Sequence, residues 1–90
     1  MADGFVVPDF PVWGPLEAIL ALEDCGGFMY MGLFEMDGER IHHYKHVITR
    51  RYLFVDDDLR TYRYLGDERY APQGRKRSIR WVLEDLKSML

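Results

Sequence analysis

His42, His43 and His46 are the only histidines of the chain and fall within five consecutive residues, so metal binding is the first chemistry to test. The spacing argues against it. On a strand, His42 and His46 share a face but lie about 13 Å apart, four steps of roughly 3.3 Å, while His43 points to the opposite face. Zinc draws its ligand nitrogens to about 2.0–2.1 Å, so this strand alone cannot assemble a site. A helix would make His42 and His46 neighbours, but Asp37-Gly38 just upstream marks a hairpin. No metal and no cofactor is expected, and the imidazoles read as strand-face groups that can respond near pH 6–7.

Cys25 is the single cysteine. A nucleophilic thiol needs a lowered pKa, which bases and helix N-termini supply. Cys25 instead follows Glu23 and Asp24 at the end of a predicted helix, where each local field raises it. Asp56-Asp57-Asp58 resembles the start of a calcium loop, but the sixth and twelfth positions of that loop need Gly and Glu, and here they are Thr61 and Asp67. No spacing singles out a pair among the 15 acids for hydrolysis. The Gly-rich turns that cradle phosphates are missing as well. The chain is therefore expected not to be an enzyme.

Tyrosine and arginine are the remaining candidates. Tyr44, Arg50, Arg51, Tyr52, Arg60, Tyr62, Arg63 and Tyr64 alternate rings and cations along a stretch that reads as sheet. Tyr and Arg are enriched where proteins meet proteins. The same mixture can stack bases and hold phosphates of a single strand. These eight residues are the expected partner-binding set.

The elements that must carry them follow from periodicity and turn residues. Residues 1–14 are apolar but broken by Pro8 and Pro11, which suits an extended arm. Pro15 fits a first helical turn, and Gly26-Gly27 stop a helix over 15–25; with Ala18 to Leu22 apolar all round, that helix should be buried. From Phe28 the period becomes two. The Asp37-Gly38 turn fixes a register in which Met36 faces Glu39, Glu35 faces Arg40, Phe34 faces Ile41, Leu33 faces His42, Met31 faces Tyr44, Met29 faces His46 and Phe28 faces Val47. Arg51–Val55 and Arg60–Leu65 supply two further strands, with Pro72 and Gly74 closing a sheet region over 28–70. Ser78 is placed to cap a last helix, 78–90, whose Ile79, Val82, Leu83, Leu86, Met89 and Leu90 recur at helical spacing. The expected fold is α+β: a short amino-terminal helix, a four-stranded antiparallel meander, and a carboxy-terminal helix packed on the sheet. Trp13, Phe28, Phe34, Trp81 and Leu86 are its expected core members. Both faces of the first long strand are apolar, so the face away from the helices needs cover from the arm or from a second copy of the chain.

Ninety residues make one domain, 1–90, and 48% hydrophobic with 30% charged residues is a folding composition. One cysteine points to a reducing compartment, so a cytoplasmic location is expected. The amino terminus lacks the basic region of a signal peptide, and no run approaches the roughly 18 apolar residues of a membrane span. Residues 1–39 hold eight acids and no Lys or Arg, whereas residues 40–90 hold all 12 bases and seven acids. Part of this asymmetry can be internal, if Glu23 and Asp24 meet Arg75, Lys76, Arg77 and Arg80 across two helix ends. A net charge of −3 weakens the nucleic-acid reading, which favours basic domains. The leading expectation is a non-enzymatic protein-binding module (a small regulator, inhibitor or assembly subunit) whose partner is another protein, with homodimerisation possible. Single-stranded nucleic-acid binding through the same face is the alternative.

Overall fold

The computed structural model describes residues 4–84 and Leu86. Its elements are β1 (Gly4–Val6), α1 (Gly14–Ile19), α2 (Leu22–Cys25), β2 (Phe28–Met36), β3 (Glu39–His46), β4 (Tyr52–Asp56), β5 (Thr61–Gly66), β6 (Arg69–Gln73) and α3 (Arg75–Leu83). The mixed α+β character, the antiparallel sheet and the helix after it are as the periodicity predicts. The sheet, however, has six strands in the order β1-β2-β3-β4-β5-β6, not four. Part of the expected arm is the edge strand β1, which pairs Phe5 with Phe34. Pro72 does not end the sheet but lies within β6, opposite Tyr62. A proline is tolerated there because β6 is an edge strand, whose outer side has no partner for an N–H.

The β2–β3 register agrees with the turn prediction at the four pairs from Met36↔Glu39 to Leu33↔His42, and Gly32 facing His43 is still in step with it. It slips by one between Gly32 and Tyr30, where Tyr30 faces Tyr44, so the expected Met31–Tyr44, Met29–His46 and Phe28–Val47 pairs do not form. Gly32 has φ +125°, a conformation open only to glycine. The slip puts Phe28, Tyr30 and Leu33 on one face with His42, Tyr44 and His46.

The predicted 15–25 helix breaks at Leu20, whose φ of −132° and ψ of 145° are extended. At 100° per residue an unbroken helix would turn Cys25 to the side opposite Leu16. The break instead lets Ile19, Leu20 and Cys25 all pack against the core. That core is Leu16, Phe28, Tyr44, Leu53, Val55 and Val82, between α1, α3 and one face of the sheet. Leu22 is 74% exposed, so the expected all-round burial of this segment does not hold. Trp13 and Phe28 belong to or pack on the core and Phe34 is buried, whereas Trp81 is 45% exposed and Leu86 only partly buried. Helix α3 begins three residues before Ser78, which is buried and donates to the Gln73 side chain instead of capping. The last part of the predicted helix, 85 and 87–90, lies outside the described residues. Among the described residues no helix is long and apolar enough to cross a membrane.

Two departures from a flat sheet shape its concave surfaces. Strands four apart in a flat sheet lie about 19 Å from one another, yet the Tyr70 ring of β6 stands 5.7 Å from Phe34 of β2. The sheet is therefore curled into an open half-barrel. In addition, β4 and β5 pair only at Phe54↔Tyr62 and Val55↔Thr61. Below those pairs the two strands part, and α3 packs against both.

Candidate functional site

The parting of β4 and β5 opens a cleft of about 530 Å³. Its walls carry Arg50, Arg51, Arg63 and Arg77, the rings of Tyr52, Phe54, Tyr62, Tyr64 and Trp81, with Gln73 and Ser78, and no carboxylate among the described residues. Six of the eight residues expected from sequence meet here. Arg77 and Trp81 were not among those eight; one helical turn apart on α3, they face the cleft together.

Local chemistry fixes this lining in place. Arg51 stacks on Trp81, its Cζ 5.1 Å from the ring centroid, and its guanidinium donates to the Trp81 carbonyl at 2.8 Å. Thr49 donates to the Val82 carbonyl at 2.7 Å, so the loop after β3 is tied to α3 at two points. The Tyr62 hydroxyl donates to Asp56 Oδ2 at 2.7 Å. Burial first, then that hydrogen bond, pushes the phenol up to about 12, so it remains a donor. The side chains of Arg50, Arg63 and Arg77 make no hydrogen bond or ion pair among the described residues.

Two expected site residues lie elsewhere. Tyr44 is fully buried, its hydroxyl donating to the Val12 carbonyl at 2.6 Å. It shares the core face with Val55, not the face of Tyr52 and Phe54, and so cannot meet a partner. Arg60 is held by the acidic turn beside it, reaching Asp56 at 3.1 Å and Asp58 at 3.0 Å. The two helix ends also fail to pair: among the described residues no ion pair links Glu23 or Asp24 to Arg75, Lys76, Arg77 or Arg80. Arg75 instead donates to the Leu59 carbonyl.

Each histidine has partners of its own. His42 is buried and bridges Tyr30, 2.9 Å from Nδ1, and Asp57, 2.7 Å from Nε2, while Arg40 reaches the other Asp57 oxygen at 2.8 Å. His46 Nδ1 accepts the backbone N–H groups of Ile48 and Thr49 and orders the turn that carries Arg50. Cys25 is pushed up by burial, then by Glu17 and Asp24, opposite to what a nucleophile needs.

His43 faces the inside of the half-barrel, where a second hollow of about 300 Å³ is lined by Phe5, Phe34, Tyr52, Phe54, Tyr64, Tyr70, His43 and Glu68. Tyr70 and His43 Nε2 are hydrogen-bonded at 2.8 Å. Burial among these rings, then the neighbouring His42, pushes the His43 imidazole down to about 4. Burial, Tyr64 and Glu68 together push the Tyr70 phenol up to about 12, so Tyr70 is the donor of this bond. Between about pH 6.5 and 4 the unfolded chain takes up a proton that the native ring refuses, so stability falls as pH is lowered through that window. An NMR titration should place the His43 midpoint near 4; a midpoint at the ordinary value of about 6.5 would mean that the ring is solvated.

Neither a protein-family model, nor a curated protein, nor a solved structure matches this chain.

Proposed function

We propose that this chain is a non-enzymatic protein-binding module that takes an acidic segment of another protein into the arginine–tyrosine cleft. The observation that carries this reading is that, among the described residues, the guanidiniums of Arg50, Arg63 and Arg77 have no hydrogen-bond or ion-pair partner and stand beside exposed rings in a cleft that no carboxylate lines. Solvated cations in a concave, ring-walled site are poised to form bidentate contacts with carboxylates, and aromatic edges supply the apolar area that makes such contacts specific. Tyr62 holds Asp56, so truncating it would disturb the fold, whereas Arg63 and Arg77 are exposed.

The test is fluorescence anisotropy with a labelled Asp/Glu-rich peptide containing one aromatic residue. Binding is expected, and the Arg63→Ala/Arg77→Ala double variant should weaken it at least tenfold, about 1.4 kcal/mol, with an unchanged melting temperature. Equal affinity for both proteins would refute the reading. A second reading rests on the same rings: Tyr52 and Phe54 stack at 5.7 Å with planes 7° apart beside the arginines, a platform that also suits bases of a single strand. A labelled oligonucleotide that fails to shift at about 50 mM salt would remove it.

A further inference from the structure

The hollow inside the half-barrel differs from the arginine cleft in its charge. Six aromatic side chains and His43 form its wall, and among the described residues Glu68 is its one charged residue and no Lys or Arg lines it. Phe34 and Phe54 close the floor at 4% and 8% exposure, while Phe5 and Tyr64, about half exposed, stand at the rim. The rings meet at angles: Tyr64 and Tyr70 have centroids 5.3 Å apart with planes at 59°, and Phe54 and Tyr70 5.6 Å apart at 71°. Such tilted arrangements turn several ring faces, each the negative side of a quadrupole, toward one space.

Glu68 is where glycine or asparagine would be expected. In the β5–β6 turn, Asp67 and Glu68 have φ of +51° and +61°, left-handed values that side chains other than Asn and Asp rarely adopt. The strain is held by a specific bond, since the Glu68 N–H donates to the Tyr64 hydroxyl at 3.0 Å. A residue kept in a disfavoured backbone conformation whose carboxylate overlooks a ring-walled hollow is a reason to look for function there.

We propose that the hollow binds a quaternary ammonium group, with Tyr64 and Tyr70 as the cage, Phe5 as its outer wall and Glu68 as the counter-charge. A trimethylammonium is apolar enough to leave water for such rings and still carries the charge that ring faces and a carboxylate reward. A plain ammonium is more strongly hydrated and would stay outside. An anion would meet Glu68, with no Lys or Arg among the described lining residues to offset it. The hollow is separate from the arginine cleft, sharing with it only the Tyr52, Phe54 and Tyr64 side of the sheet, and this assignment stands whether or not the cleft binds acidic peptides.

The experiment is an NMR titration of the Tyr64, Tyr70 and Phe5 ring signals with N-acetyl-Nε-trimethyllysine amide, with its unmethylated counterpart, with the neutral tert-butyl isostere, and with choline. Trimethyllysine or choline should shift these signals and bind roughly tenfold more tightly than the isostere and the unmethylated amide. The better binder of the two identifies the source as a modified protein side chain or a free metabolite. Glu68→Gly is the decisive variant: glycine relieves the left-handed turn, so the protein should melt no lower than the parent, yet affinity should fall about fivefold or more. Tyr64→Leu should lose the same binding. Equal binding of the neutral isostere, unchanged affinity in Glu68→Gly, or no shift with any of the four ligands would each overturn the proposal.

Discussion

Asp56→Ala should lower stability by about 3 kcal/mol, equivalent to a drop of roughly 10–20 °C in melting temperature for a domain of this size. Asp56 is 2% exposed and collects four donors: the backbone N–H groups of Asp58 and Arg60, the Arg60 Nε and the Tyr62 hydroxyl. Truncation leaves these without an acceptor, and orphaned donors, not the lost charge, dominate the cost, because Arg60 is 59% exposed and can turn to water. Asp56→Asn should recover part of the loss, since the amide oxygen can still accept the two backbone N–H groups. Burial pushes the Asp56 carboxyl up, but the bonds from Tyr62, Arg60 and Asp58 outweigh it and hold the group below its ordinary range. Its folded pKa is depressed, so its contribution is present above about pH 4 and is lost as pH falls further. Thermal melts of the parent and Asp56→Ala should therefore converge in acid; an equal gap at pH 7 and pH 3 would contradict this account. Because Tyr62 lines the cleft, the variant should also weaken binding there.

The same residue shows why the sequence led only part of the way to the site. Asp56, Asp57 and Asp58 are three identical side chains in a row, yet one of them is buried and collects four donors. Composition cannot separate them, since the difference lies in which one the β3–β4 register places opposite Ile41. Strand parity likewise decides Tyr44 against Tyr52: both are tyrosines beside cations, and only pairing across β3 and β4 shows that one is core and the other surface. Arg77 and Trp81 did not read as a helical pair, because taking Ser78 as the cap left Arg77 outside the helix and assigned it, as a helix-end charge, to the wrong partner. The fold was more open to inspection. Asp37-Gly38 sets four register pairs correctly because a two-residue loop leaves no freedom there. The short edge strands β1 and β6 were hidden by prolines, whose meaning depends on whether a neighbour is waiting for an N–H. The curl that brings Tyr70 onto Phe34 and His43 is a property of the whole sheet, with no local signal.

Gly32→Ala carries the second large expectation, a loss of roughly 2–4 kcal/mol that begins at β1. A methyl at Gly32 would lie 2.7 Å from the Val6 carbonyl oxygen and 2.6 Å from the Phe5 ring, and φ of +125° excludes an alanine even in open space. The bulge cannot move cheaply, because it sets Tyr30 against Tyr44 and Leu33 against His42 in the centre of the sheet. Strand β1 can, having only three residues and one neighbour. The least costly relief is therefore for β1 to leave the edge. Hydrogen exchange should then accelerate in residues 4–12 first, with β3 and β4 still protected, and the melting temperature should fall. Loss of protection spread evenly over the sheet would instead mean that the bulge itself had yielded. The departure has a consequence inside the half-barrel, since Phe5 stands at the rim of the hollow and its ring lies 5.2 Å from His43. With that cover removed, the imidazole gains water and its midpoint should rise from about 4 toward the ordinary histidine value. One glycine in the middle of β2 thus controls how closed the aromatic hollow is, through a contact that neither its own strand nor its own turn would reveal.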